Sequence, residues 1–234
     1  MKAVLTKAEL EAEIASRFGD AFRIQEKAVV ETLSTGVAEI DGLTGGLPRG
    51  AISEIFGPAS SGRTSLMYSL LTYATTHEET CALIDTSDVF APTAAIAAGM
   101  NFDRLLWVRC GGNLEHAFKA ADLLLHAGGF GLVVLDLGDV PGKEARQIIS
   151  SWWYRFRRTV EDRPTCLTVI SEEACTRSCA ALALGLNGAA EWSRTSVKRG
   201  TGTLLRHNAI RANRQRPVAA WLSEGQYRAM ALSV

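Results

Sequence analysis

The segment "AISEIFGPASSGRTSL" (51–66) constrains the architecture more than any other stretch of the chain. "AISEIFG" alternates as a strand does, the middle is glycine-rich, and "TSLMYSLLTYATT" reads as a helix from Thr64 onward. A strand that passes through a glycine turn straight into a helix lays that helix across a sheet, and this is how parallel α/β folds are built.

The rest of the chain repeats the unit. "TCALID", "RLLWVRC", "GLVVLDL" and "TCLTVIS" read as strands. "APTAAIAAGM" and "NLEHAFKAADLLLHAG" read as helices, the second with Leu114, Phe118, Ala121 and Leu125 in register. "EARQIISSWWYRFRRTVED" reads as one helix facing inward through Ile148, Ile149, Trp152, Trp153 and Phe156, and "SCAALALGLNGA" as a small-residue helix. Continuous apolar strands between helices imply a parallel sheet covered on both faces. After Gly188, "AEWSRTSV", "GTLLRHNAIRANR", "VAAWLSE" and "QYRAMALSV" read as strands on short turns. The expected fold is α/β, a mostly parallel central sheet with helices on both faces and a C-terminal antiparallel edge. Residues 1–33 would form an N-terminal helix (7–18) and linker, and 34–234 the core domain.

Composition agrees with a folded core: 47% of the 234 residues are hydrophobic and 21% charged. A formal net charge of zero excludes the global basic field of many nucleic-acid binders but not a local patch. No apolar run suits a signal peptide or a membrane span, so a cytoplasmic protein is expected. Of five cysteines, Cys175 and Cys179 alone lie close together, which is a poor metal signal; no structural metal and reduced thiols are expected.

The loop differs by one residue type from the phosphate-binding pattern G-x-x-x-x-G-K-[ST]. Gly57, Pro58, Ala59, Ser60, Ser61, Gly62, Arg63, Thr64 and Ser65 fill it, with Arg63 where the pattern has lysine. Backbone N–H groups of such a loop and the following helix terminus form an anion cradle. In a working site Thr64 would hold Mg²⁺, with Asp136, closing "LVVLD", as its acidic partner. A planar guanidinium is a poor copy of a compact ammonium, so two readings stand: an ATP–Mg site, or a glycine turn with no ligand.

These residues carry a resemblance. "STGVAEIDGLTGGLPRGAISEIFGPASSGRTSL", "CALIDTSDVFAPTAAIAAGMNFDRLLWV" and "EHAFKAADLLLHAGGFGLVVLD" resemble bacterial RecA recombinases, within the RecA/RadA superfamily, over about residues 8–215. The resemblance implies a RecA-like P-loop fold and a role in DNA repair or recombination. "LEAEIASRFG" before "VETLSTG" resembles the helix and linker by which such subunits join, which implies self-association. The departures are equally specific. RecA proteins place a water-polarising glutamate where Ser87 stands; Asp88 is adjacent but shorter and off by one. Ser171 and Glu172 occupy the corner of the family's sensor glutamine. The two DNA-binding loops reduce to "LGDVPGK" and "EEACTR", and the family's separate C-terminal domain has no counterpart. Such short chains resemble ImuA and SulA-like accessory proteins of the SOS response, which implies a partner such as RecA or an error-prone polymerase complex. The resemblance therefore implies an accessory that binds DNA or a partner protein without efficient hydrolysis. The alternative is a compact DNA-dependent ATPase in which Arg63 replaces lysine and Asp88 or Glu172 activates water.

Between Glu191 and Glu224 no acidic residue occurs, while Arg194, Lys198, Arg199, Arg206, Arg211, Arg214 and Arg216 do. Three readings compete: contact with DNA phosphates, contact with an acidic partner or a neighbour's nucleotide, or a solvated basic surface. Trp152 and Trp153 are expected in the core, Arg155, Arg157 and Arg158 on the wet face of their helix, and Cys110 and Cys166 buried. His77, His116 and His126 are scattered and suggest no site.

Overall fold

The computed structural model describes residues 31–186 throughout, residues 6, 9, 13, 16 and 17 near the N-terminus, and the backbone of 191–195, 204–209 and 212–216. Most of the expected N-terminal helix and the strands "VAAWLSE" and "QYRAMALSV" lie outside the described residues. Within 7–18, Glu9, Glu13, Ser16 and Arg17 are helical. Thr6 and Glu9 form a reciprocal capping box, Thr6 N donating to Glu9 Oε2 at 2.8 Å and Glu9 N to Thr6 Oγ1 at 3.4 Å.

The entry segment is a small clasp. Strand β1 (Thr32–Leu33) pairs antiparallel with β2 (Leu47–Pro48), and α1 (Ala38–Thr44) lies between them in sequence. Asp41 ties the clasp together, accepting from Ser34 Oγ at 2.5 Å, Thr35 N at 2.8 Å and Thr35 Oγ1 at 2.8 Å. β3 (Ala51–Phe56) then enters the main sheet and α2 (Arg63–Thr76) leaves it. There follow β4 (Cys81–Asp85), α3 (Pro92–Ala97), β5 (Leu105–Arg109), α4 (Leu114–Ala127) and β6 (Leu132–Leu137). The rest is α5 (Gly142–Gln147), α6 (Ser150–Val160), β7 (Cys166–Ser171), β8 (Ala180–Leu186), β9 (Glu191–Thr195), β10 (Leu204–Ala209) and β11 (Ala212–Arg216).

The described main sheet runs β11-β8-β3-β7-β6-β4-β5, parallel except for β11, which closes one edge antiparallel to β8. β9 and β10 form a separate antiparallel pair. The alternation of side chains divides two cores. Cys81, Leu83, Leu132, Val134, Ile55 and Ile170 pack under Leu66, Leu70 and Leu71 of α2, whereas Ala82, Ile84, Val133, Leu135 and Val169 pack under Phe118 of α4 and Trp153 and Phe156 of α6. Phe118, Trp153 and Phe156 form a ring cluster with centroids 5.1–6.0 Å apart.

The structure corrects three expectations. "SCAALALGLNGA" is a strand, β8, rather than a helix. Its leucines, 182, 184 and 186, recur at every second position and are all buried on the α2 face, and small residues between them fit a slot flanked by β3 and β11. The expected long helix breaks into α5 and α6 at Ile148 and Ile149, whose ψ values of 127° and 125° are extended. Consecutive β-branched residues suit that conformation, and Ile149, expected inside, is 68% exposed. "GTLLRHNAIRANR" divides between β10 and β11, which belong to different sheets.

One tie holds the connection between β7 and β8. Glu54, on β3 and 1% exposed, accepts hydrogen bonds from Cys175 N at 2.5 Å, Thr176 N at 2.9 Å and Thr176 Oγ1 at 2.6 Å. A carboxylate inside a sheet is tolerable only when its oxygens are bonded this way. Glu54→Ala leaves those donors buried without an acceptor and is expected to lower the unfolding free energy by about 3 kcal/mol or more. Glu54→Gln, which keeps one oxygen, should lose less; chemical denaturation of both variants checks the order.

Candidate nucleotide-binding site

The glycine loop crosses the carboxyl ends of the central strands, where open α/β sheets bind ligands. Gly57 N donates to Ser171 O of β7 at 3.3 Å, and Ser61 N to Pro58 O at 3.1 Å. Ser60 and Gly62 take left-handed backbone at φ 63° and 99°, turning the chain into α2, where Leu66 N donates to Gly62 O at 2.9 Å. Gly57 is sterically required: a Cβ there would stand 2.4 Å from Leu186 O and 2.7 Å from Ser61 Oγ. Ser61 is 3% exposed, and its hydroxyl has no hydrogen-bond partner. Pro58, Ala59, Ser60 and Thr64 are exposed, and Arg63 and Ser65 half-buried.

Asp85 and Asp136 end neighbouring strands in direct register, on the face that α2 covers. Asp85 is spent on structure: Oδ1 accepts from Val89 N at 3.1 Å, and Oδ2 from Phe90 N at 3.0 Å and Trp107 Nε1 at 3.2 Å. Asp136, 8% exposed, accepts from Gly138 N at 2.8 Å through Oδ1. Arg63 reaches across from the loop and donates from Nη1 to Gly138 O at 3.1 Å. Burial raises the Asp136 carboxyl to about 6; the Gly138 N–H and Arg63 oppose the rise, and Asp85 and Asp139 add to it. Of the pair expected to hold Mg²⁺, Thr64 and Asp136, the carboxylate has one oxygen taken by Gly138 N–H and a guanidinium bonded beside it, a poor fit to a divalent cation. Among the described residues no group of three or more His, Cys, Asp or Glu could hold a metal ion.

The segment where a water-activating carboxylate would stand is locked. Ser87 occupies the position, and Asp88, at φ 59°, bonds away from the loop to Arg109 Nη2 at 3.0 Å and Gly111 N at 3.1 Å. Arg109 ends β5 and Gly111 follows it, at the edge of the sheet far from β3. Tyr68 of α2 clamps the segment's end, accepting from Ala91 N at 2.8 Å and donating to Ala91 O at 3.2 Å. Glu172 follows Ser171 directly; it is exposed and carries no hydrogen bond or ion pair among the described residues. Sequence reasoning missed Glu54 and the Arg63–Gly138 bond, since no pattern marks a tie between residues 75 or more positions apart.

The remaining candidates divide by place. Arg194, Arg206, Arg214 and Arg216 lie on strands β9, β10 and β11, where only the backbone is described; Lys198, Arg199 and Arg211 lie outside the described residues. Trp153 is fully buried, Trp152 half-buried against the same core. Arg157 and Arg158 are exposed, and Arg155 pairs with Asp122 at 2.6 Å. His77 stacks on Tyr73, and His126 bonds to Asp122 O. All five cysteines are buried, and burial pushes the Cys81 and Cys166 thiols up to about 12. No described helix is long and apolar enough to cross a membrane.

The raised Asp136 sets a pH signature. Its folded value of about 6 exceeds the ordinary 3.8, so its stabilising contribution is complete below pH 4 and is lost as pH rises through 6. Asp136→Asn, which retains an oxygen for Gly138 N–H, is therefore expected to stabilise the nucleotide-free protein by about 3 kcal/mol at pH 8. The gain should vanish near pH 4; melting curves in a chelating buffer across that range check it.

Comparison with known proteins supplies the family. The model of the RecA N-terminal domain matches residues 6–144, more than half of the chain. Protein RecA of Rickettsia bellii (strain RML369-C) is 38% identical over 157 residues, 60% of this chain and 45% of that protein. Protein RecA of Deinococcus radiodurans is 39% identical over 114 residues, 48% of this chain and 31% of that protein. The chain spans less than half the length of these curated relatives. With that family model matching more than half of it, this chain belongs to the RecA family.

Proposed function

We propose that the chain is a RecA-family accessory of DNA repair, recombination or SOS mutagenesis that holds a nucleotide without efficient hydrolysis. It acts by binding DNA or a partner protein rather than by strand exchange. The observation that carries this reading is the pairing of an intact cradle with a disabled neighbour: Ser87 replaces the carboxylate, and Asp88 is committed to Arg109 and Gly111. A hydroxyl cannot serve as general base at neutral pH, and a carboxylate already bonded at the far edge of the sheet cannot reach the loop. The ties from β6 to α5 and from β7 to β8 are short, leaving little surface for a tract of single-stranded DNA. The basic segment 194–216 is then the candidate contact for DNA phosphates or for an acidic face of RecA or an error-prone polymerase complex, and residues 1–33 the candidate for self-association.

A second reading rests on Glu172. Exposed, next to Ser171 and without a hydrogen bond or ion pair among the described residues, it is the acid assigned to water activation in a compact DNA-dependent ATPase. Phosphate release from ATP, followed with and without single-stranded DNA, separates the two. The accessory reading expects release at background in both, with ATP or ADP raising the melting temperature in proportion to occupancy. DNA-stimulated turnover that Glu172→Gln abolishes would overturn it.

A further inference from the structure

We infer that the cradle takes the phosphates of a nucleoside di- or triphosphate without a divalent cation, the Arg63 guanidinium bridging phosphate to the β6 strand end where a metal would otherwise stand. This rests on the proposal that the loop binds nucleotide.

The geometry is direct. Arg63 opens α2 at the mouth of the loop and spans to β6, giving Nη1 to Gly138 O at 3.1 Å. Guanidinium and carboxylate share one space: a Cβ at Gly138 would lie 2.9 Å from Asp136 Oδ1 and 3.9 Å from Arg63 Nη1. A metal entering there would meet a fixed positive charge and a carboxylate oxygen already bonded to Gly138 N. The neighbouring acid offers no replacement, since both oxygens of Asp85 accept hydrogen bonds.

The donor count allows the bridge. A guanidinium has five N–H donors in a rigid fork, suited to phosphate oxygens. Arg63 places one on Gly138 O, and the others have no partner among the described residues. A lysine ammonium gathers its three donors on one nitrogen, whereas the guanidinium spreads five over three nitrogens, so one edge can hold Gly138 O while another faces a phosphate farther away. Ser61 adds a second polar group inside the loop, a buried hydroxyl beside Gly57 with no hydrogen-bond partner among the described residues.

Calorimetric titration of the full chain with ADP, and with a non-hydrolysable ATP analogue, in EDTA and in Mg²⁺ tests the inference. Dissociation constants within about threefold of each other in the two buffers are expected. Weakening by about tenfold or more on chelation would overturn it, whatever any variant does. Arg63→Lys should acquire a Mg²⁺ dependence of about tenfold. A folded Arg63→Lys that stays indifferent to Mg²⁺ would show that the guanidinium is not the bridge. Absence of binding in both buffers, for both proteins, would remove the nucleotide reading itself.

Discussion

Burial of both faces of a parallel sheet governs this molecule. The central strands are buried on both faces, so a polar group inside them must be bonded by its neighbours, as Glu54 is, and the others gather at the strand ends. Asp85 and Asp136 stand there in register on adjacent strands, with the glycine loop bonded to Ser171 at the end of β7. Two carboxylates at the ends of adjacent strands on one buried face repel one another. Asp85 is quieted by three donors, whereas Asp136 receives one and keeps a raised affinity for a proton. That asymmetry decides which acid remains responsive to what enters the site.

The same constraint explains what was readable from the sequence. Strands β4 and β6 announce themselves by apolar runs and β3 by its alternation, and the loop by a Gly57 that no side chain could replace. β8 hid behind composition: alanines favour helices in isolation, but Leu182, Leu184 and Leu186 have a strand's period and fill the slot between β3 and β11. The break at Ile148–Ile149 was masked for the opposite reason, since neighbours on both sides satisfy the helical period and only local backbone preference opposes it. Position along the chain located the site; the partners of Arg63, Asp88 and Glu54 depend on contacts between distant segments and carry no local signature.

Holding a phosphate and cleaving it are physically separable demands. The cradle depends on backbone direction: Gly57, Ser60 and Gly62 fix where the N–H groups point, and no side-chain chemistry is needed. Cleavage needs a base free to approach the phosphate, and the segment after β4 is tied down at many points. Thr86 N donates to Asp136 O, Asp85 holds Val89 and Phe90, Asp88 holds Gly111, and Tyr68 holds Ala91. A segment fastened at so many points can stabilise the sheet's end but cannot swing a base toward a ligand.

Arg63 fits that division. In a site built for turnover the loop's cation must follow charge as it moves from ground state to transition state, and a compact ammonium does so with little reorganisation. A guanidinium anchored on Gly138 O is instead a fixed strut between the loop and β6. It favours a single arrangement of loop and strand, which suits a site that reports occupancy. Because the strut ends on Gly138, four residues before α5, it ties the start of α2 to the connection that leads into the α5–α6 elbow, so the one residue that departs from the phosphate-loop pattern is also the one that joins loop and strand end.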